Sequence, residues 1–156
     1  TLEVRLASHR NSTQYKESIA AMMNAISPWF PKDDFVDKPV TKAKNTIYQD
    51  HESLKPILRH GPQTLINDSG FSLTARALSP SDDVLGNEAA LKGLQEFYSS
   101  DTYCESSAVF FKLGTPQQPR ELHVNLNGEG NEFSLPLGCT EEDYEYVFSQ
   151  IRTLNS

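Results

Sequence analysis

The chain opens on a two-residue alternation. Leu2, Val4 and Leu6 are apolar and the intervening Glu3 and Arg5 are polar, the period of a half-buried strand. Asn11 and Ser12 then offer N-caps, and Tyr15, Ile19, Met22 and Ile26 share one helical face before Pro28 ends the helix. Pro28-Trp29-Phe30-Pro31 reads as a rigid aromatic connection. The stretch to residue 45, with Asp33, Asp34, Lys38, Pro39, Lys42 and Lys44, reads as polar loop. A short second helix is expected from Ser53 to Arg59, stopped by Gly61-Pro62.

Gly70 to Leu78 predicts a strand with Phe71, Leu73 and Ala75 on one face, closed by the turn Ser79-Pro80-Ser81-Asp82-Asp83. Glu88 to Tyr98 predicts a helix carrying Leu91, Leu94, Phe97 and Tyr98. Ser107 to Leu113 reads as a strand ended by Gly114, and Glu121 to Leu126 alternates strictly. Asn127-Gly128 is a hairpin signal, and Phe133, Leu135 and Leu137 alternate on the return strand. Thr140 caps a final helix with Glu141, Glu142 and Asp143 in its first turn, where the helix dipole favours negative charge. Tyr144, Val147, Phe148 and Ile151 mark its buried face. This order predicts an α+β fold: an antiparallel sheet of about four to six strands with helices packed on one face, an N-terminal strand-helix pair and a C-terminal helix. No linker or internal repeat interrupts it, so residues 1–156 read as a single domain.

A 37% hydrophobic content over 156 residues is enough for one packed core. No apolar run approaches the roughly 20 residues that span a bilayer, and the N-terminus lacks the apolar stretch of a signal peptide. Cys104 and Cys139 match neither a disulfide framework nor a zinc motif, so two reduced thiols and a cytoplasmic setting are expected. Charge changes the picture more. Residues 1–60 hold 9 basic and 7 acidic side chains, a balance of +2, whereas residues 61–156 hold 5 and 14, a balance of −9. Such a field repels nucleic acid and anionic membranes and steers a basic protein partner.

Candidate chemistry is sparse. None of His9, His51, His60 and His123 pairs with another at helical metal-site spacing, and Asp50-His51-Glu52 reads as a solvated helix start. Ser69-Gly70-Phe71-Ser72 lacks the Gly-x-Ser-x-Gly pattern of an α/β-hydrolase. Cys104 with His123 as its base is outweighed by strand roles for both. Gly128-Glu129-Gly130 has no Lys and no following helix, so it is a turn rather than a phosphate loop. The reading is of a non-enzyme without cofactor or metal.

The segment order carries a resemblance. Glu3-Val4-Arg5-Leu6 leads into a helix, Trp29-Phe30 follows, then Gly70-Phe71-Ser72-Leu73, and Asn131-Glu132-Phe133-Ser134-Leu135-Pro136 precedes the last helix. Together these resemble the "immunity protein 52" family of bacterial polymorphic-toxin systems, many of them delivered by type VI secretion. The stretch from Asp82 to Glu105 departs from the family pattern. The resemblance implies a protein that binds and neutralises a cognate antibacterial toxin, often a nuclease, by covering its active site or substrate path. A nuclease is basic where it holds phosphates. The acidic candidates for that contact are Asp82, Asp83, Glu88, Asp101, Glu105, Glu129, Glu132, Glu141, Glu142 and Asp143. Trp29, Tyr98 and Tyr103 are the candidate aromatic anchors, with a core role as the alternative for Trp29. The competing functions are a secretion adaptor or chaperone, and a small hydrolase gathering His123, Cys104 or His51 with carboxylates.

Overall fold

A computed structural model describes residues 12–34, 40–99, 101–127, 133–136 and 138–156. The chain forms two compact units, Thr1–Lys38 and Pro39–Ser156. In the first, helix α1 spans Ser12–Ile26 and closes in a turn where Trp29 and Phe30 both donate to the Ile26 carbonyl, ahead of a short 3-10 turn at Lys32–Asp34. The predicted strand at Leu2 to Leu6 lies outside the described residues.

The second unit is α+β. Its helices are α2 (Thr41–Gln49), α3 (His51–Leu54), α4 (Glu88–Phe97) and α5 (Glu141–Leu154). Its strands are β1 (Leu58–Asn67), β2 (Ser72–Ala75), β3 (Thr102–Thr115), β4 (Gln118–Leu126) and β5 (Phe133–Ser134), ordered β2-β1-β3-β4-β5 and antiparallel throughout. None of the described helices is long and apolar enough to cross a membrane.

One sheet face is the core. Leu58 of β1 faces Phe111 of β3 and Leu122 of β4, and the next inward row sets His60, Val109 and Val124 side by side. Val40, Ala43 and Ile47 of the α2 region and Val147, Ile151 and Leu154 of α5 close over these strands. A second cluster joins Tyr48, Leu65, Leu85, Leu94 and Cys104, with Leu73 and Ala75 packed against it. The terminal helix is held by the predicted cap, and the capping box is completed by Asp143 rather than a Glu. Asp143, Val147, Ile151 and Leu154 are its buried residues, whereas Tyr144 and Phe148 are half-buried and stacked on one another.

Four expectations need correction. The polar stretch before residue 45 conceals α2, because its inward face includes a lysine. Lys44 is 1% exposed and donates to the carbonyls of Glu105 (2.6 Å) and Asn127 (3.3 Å). Burial lowers its pKa, with Cys104 and Glu105 opposing. The helix expected from Ser53 to Arg59 ends at Leu54, and Gly61-Pro62 does not stop an element but lies within β1. There the ladder slips between His60 and Gln63, so the bulge absorbs a proline that has no N–H to donate. Strand β3 begins at Thr102, before Ser107, because a second slip leaves Glu105 unpaired and hides the alternation. Strand β2 covers only Ser72–Ala75, and Phe71 is 68% exposed beyond its end. The hairpin signal does join antiparallel strands, with Leu126 facing Phe133, although Gly128 and Leu137 lie outside the described residues.

The kink in β1 demands glycine. A Cβ on Gly61 would meet a Phe110 ring carbon at 2.9 Å, the Ala108 carbonyl at 3.1 Å and the Ala108 Cβ at 3.2 Å. Gly61→Ala is therefore expected to lower stability by about 1–3 kcal/mol through overpacking. Gly93→Ala, in α4 with nothing within 4 Å, should raise it by about 0.5–1 kcal/mol. Urea denaturation of the two variants checks the contrast, and equal effects would refute the packing assignment.

Candidate functional site

The opposite face of the sheet carries the candidate site. Arg59, Phe110 and His123 face each other across β1, β3 and β4. The Arg59 guanidinium lies 3.9 Å from the centre of the Phe110 ring, and the His123 ring stacks on Phe110 at 4.7 Å with an 18° tilt. The row is thus three planar groups in layers, held by cation–π and stacking contacts.

A loop walls this face. Strand β2 pairs only with Gln63 to Ile66 of β1, so the first half of β1 lacks a strand neighbour on that side. Residues 79–86 take its place, with Val84 N–H donating to the His60 carbonyl at 2.9 Å. Two consecutive β1 residues then grip the loop from both faces. Arg59 Nη1 donates to the carbonyls of Pro80 (2.9 Å) and Asp82 (3.1 Å), while its other nitrogens pair with Glu121. His60 Nδ1 donates to the Asp83 carboxylate at 3.2 Å, and Asp83 in turn accepts from Gly86 N–H at 2.9 Å. His60 is fully buried and its Nε2 has no partner among the described residues. Burial lowers its pKa, with Asp83 opposing and His51 and Lys55 adding to the fall.

Between loop and sheet lies a groove of about 400 Å³. Its floor includes Ser106, Ala108, Phe110, His123 and Asn125, and its wall includes Ala77, Ser79, Pro80 and Asp82. Leu78, between the lining residues Ala77 and Ser79, is fully exposed, and Tyr103, 41% exposed, alternates onto the same sheet face as Phe110. A smaller hollow of about 210 Å³ holds His51 with Tyr48 and Tyr98 but no carboxylate.

The acidic candidates divide by role. Asp143 is buried and paired with Arg120, which together with the Thr140 cap holds its carboxyl at about 2, so it is structural and not a contact residue. Asp83 belongs to the His60 clamp, and Glu105 is half-buried at the β3 bulge. Asp82, Glu88, Asp101, Glu141 and Glu142 are exposed. They form no single patch. Asp101 lies beside Asp68 at the start of β3, whereas Glu141 and Glu142 precede Asp143, whose partner Arg120 faces Leu113 near the β3–β4 turn. Asp82 alone of the acidic candidates lines the groove. Glu129 and Glu132 lie outside the described residues. Among the aromatics, Trp29 is 74% exposed and not core. Tyr98 is half-buried, stacks on Tyr48 at 5.2 Å and accepts from Gln49 Nε2 at 2.8 Å, so its ring and hydroxyl are already engaged. Tyr103 remains a free anchor.

The histidines correct another expectation. His51 does not sit at a solvated helix start: it is 9% exposed, with Nδ1 at 3.0 Å from the Tyr48 carbonyl and its ring edge-on to His60. Cys104 and His123 occupy opposite sheet faces, and burial pushes the Cys104 thiol up to about 12, with Lys44 opposing. A thiol so raised is not a nucleophile near neutral pH. His123 is positioned by stacking on Phe110, and no carboxylate pairs with it among the described residues. Sequence reasoning missed Arg59 and Phe110; the Arg–Phe–His row depends on a cross-strand register that the unread strand β1 hid. Comparison with protein-family models, curated proteins and solved structures returned no match.

Burial of His60 makes stability pH-dependent. The unfolded chain protonates His60 near its ordinary value of 6.5, and the folded chain only below that. Stability therefore falls as pH drops through 6.5. His60→Gln should cost about 1–3 kcal/mol at pH 7 and flatten the decline between about pH 7 and pH 5. Urea midpoints measured across that range check this, and a variant with the wild-type slope would contradict it.

Proposed function

We propose that the chain is an immunity-type protein that binds a basic toxin domain and neutralises it by covering its active site or substrate path. The observation that carries this reading is the uncovered sheet face. Helices of the second unit fill one face of the sheet, while the other presents a groove, a stacked Phe110–His123 floor and the exposed side chain of Tyr103. Aromatic and apolar side chains held rigidly on strands are the usual anchors of a protein interface. The −9 balance of residues 61–156 supplies the steering field. The resemblance in segment order to the immunity proteins supports the same reading.

A secretion adaptor or chaperone would bind the same partner yet leave cells poisoned, so rescue separates the two. Co-expression with the toxin encoded beside its gene is expected to restore growth and to yield a stable complex. Complex formation without rescue would replace immunity with an adaptor role. The association rate should fall on the order of tenfold from low to physiological salt. The double change Glu141→Gln and Glu142→Gln should slow association at low salt by a few-fold. A rate indifferent to salt would remove acidic steering.

A further inference from the structure

Resting on the reading of a basic protein partner, we infer that the groove between residues 77–82 and the Phe110–His123 floor receives an arginine side chain of that partner. The first argument is charge. Asp82 is the only charged carboxylate in the described lining, and no Lys or Arg lines the groove. A cation entering it meets a compensating charge, and an anion such as phosphate meets repulsion. The second is uncommitted bonding capacity. Among the described residues no hydrogen bond or ion pair engages the Asp82 carboxylate or the Asn125 amide, although both face the groove. A guanidinium carries five donors in a planar fork, suited to several separated acceptors, whereas an ammonium is a compact point charge.

The third argument is shape. The floor is made of stacked rings and the walls include Pro62, Ala77 and Pro80, so the groove flanks a flat group with apolar surface. The Phe110 faces are taken by Arg59 and His123, so an entering group meets ring edges and apolar walls, where a weakly hydrated guanidinium loses less than an ammonium does. The same fold already binds one guanidinium. Arg59 lies on Phe110 and donates to the carbonyls of Pro80 and Asp82 from the β1 side. Arg59 is paired with Glu121, so the pair as a whole brings no net charge to the groove, although Asp82 also interacts with the Arg59 charge.

The test uses the full chain and three small probes: acetyl-arginine amide, its neutral isostere acetyl-citrulline amide, and acetyl-lysine amide. Amide NMR shifts are followed during titration. The expected result is saturable shifts at Ser79 to Asp82, Ala108 and Asn125 with the arginine probe, and binding at least tenfold weaker for citrulline and for lysine. Asp82→Asn should weaken arginine binding about tenfold, and Glu96→Gln, at an exposed position of α4 outside the groove, should leave it unchanged; the spectrum itself reports that each variant is folded. Equal responses to arginine and citrulline, equal responses to arginine and lysine, or saturable shifts outside the groove would each overturn the inference, and the wild-type comparison decides even if a variant misfolds. A toxin complex whose affinity survives Asp82→Asn would sink the arginine site and leave the immunity reading standing. Arginine binding in the groove together with absence of any complex would do the reverse.

Discussion

Two neighbouring side chains of β1 hold the architecture of the binding face. Arg59 and His60 point to opposite faces of the sheet and grip the same loop, one through carbonyls of Pro80 and Asp82, the other through the Asp83 carboxylate. Without that grip, the first half of β1 would be a bare edge, because β2 pairs only with its second half. The loop therefore does a strand's work beside β1 and also forms the wall of the groove. Arg59 gains most of its rigidity from being bound on every side: Phe110 beneath, Glu121 along its edge and two carbonyls at its tip. A guanidinium so placed loses little further entropy and has an acceptor at each of its three nitrogens, the condition under which a partly buried charge is tolerated.

The rest of the second unit follows from keeping one face dry and the other free. Leu58, Phe111 and Leu122 on the inner face are closed over by α2 and α5, and the buried Lys44 ties α2 to the β3 bulge and to the end of β4 through main-chain carbonyls. Among the described elements of the second unit no helix packs on the outer face, and it is there that Phe110, His123 and Tyr103 stand. Stability is thus supplied from one side of the sheet, which leaves the other side's side chains available for recognition.

The parts of this fold that were legible in the sequence are those whose local signals agree with their tertiary setting. The helix from Glu88, the helix capped by Thr140, the alternation in β4 and the antiparallel return after Asn127 belong to that class. The illegible parts share a physical cause: polar or helix-breaking residues placed inside. Lys44 faces inward and breaks the apolar stripe of α2, Gly61-Pro62 sits in a bulge within a strand, and His51 and His60 are buried rather than solvated. Of the candidate site, Asp82 was legible as an acidic residue in a turn and Tyr103 as an aromatic anchor. Arg59, Phe110 and the clamp were not, because they depend on register between strands far apart in sequence and on two ladder slips that no local pattern announces.

The claim that the uncovered sheet face is the working surface is tested most directly by amide hydrogen exchange on the full chain, alone and with its basic partner. The account predicts that binding slows exchange in residues 79–82 and along the outer-facing positions of β3 and β4, with the helical face unchanged. Protection confined to α2 and α5, with the groove residues exchanging as in the free protein, would contradict it.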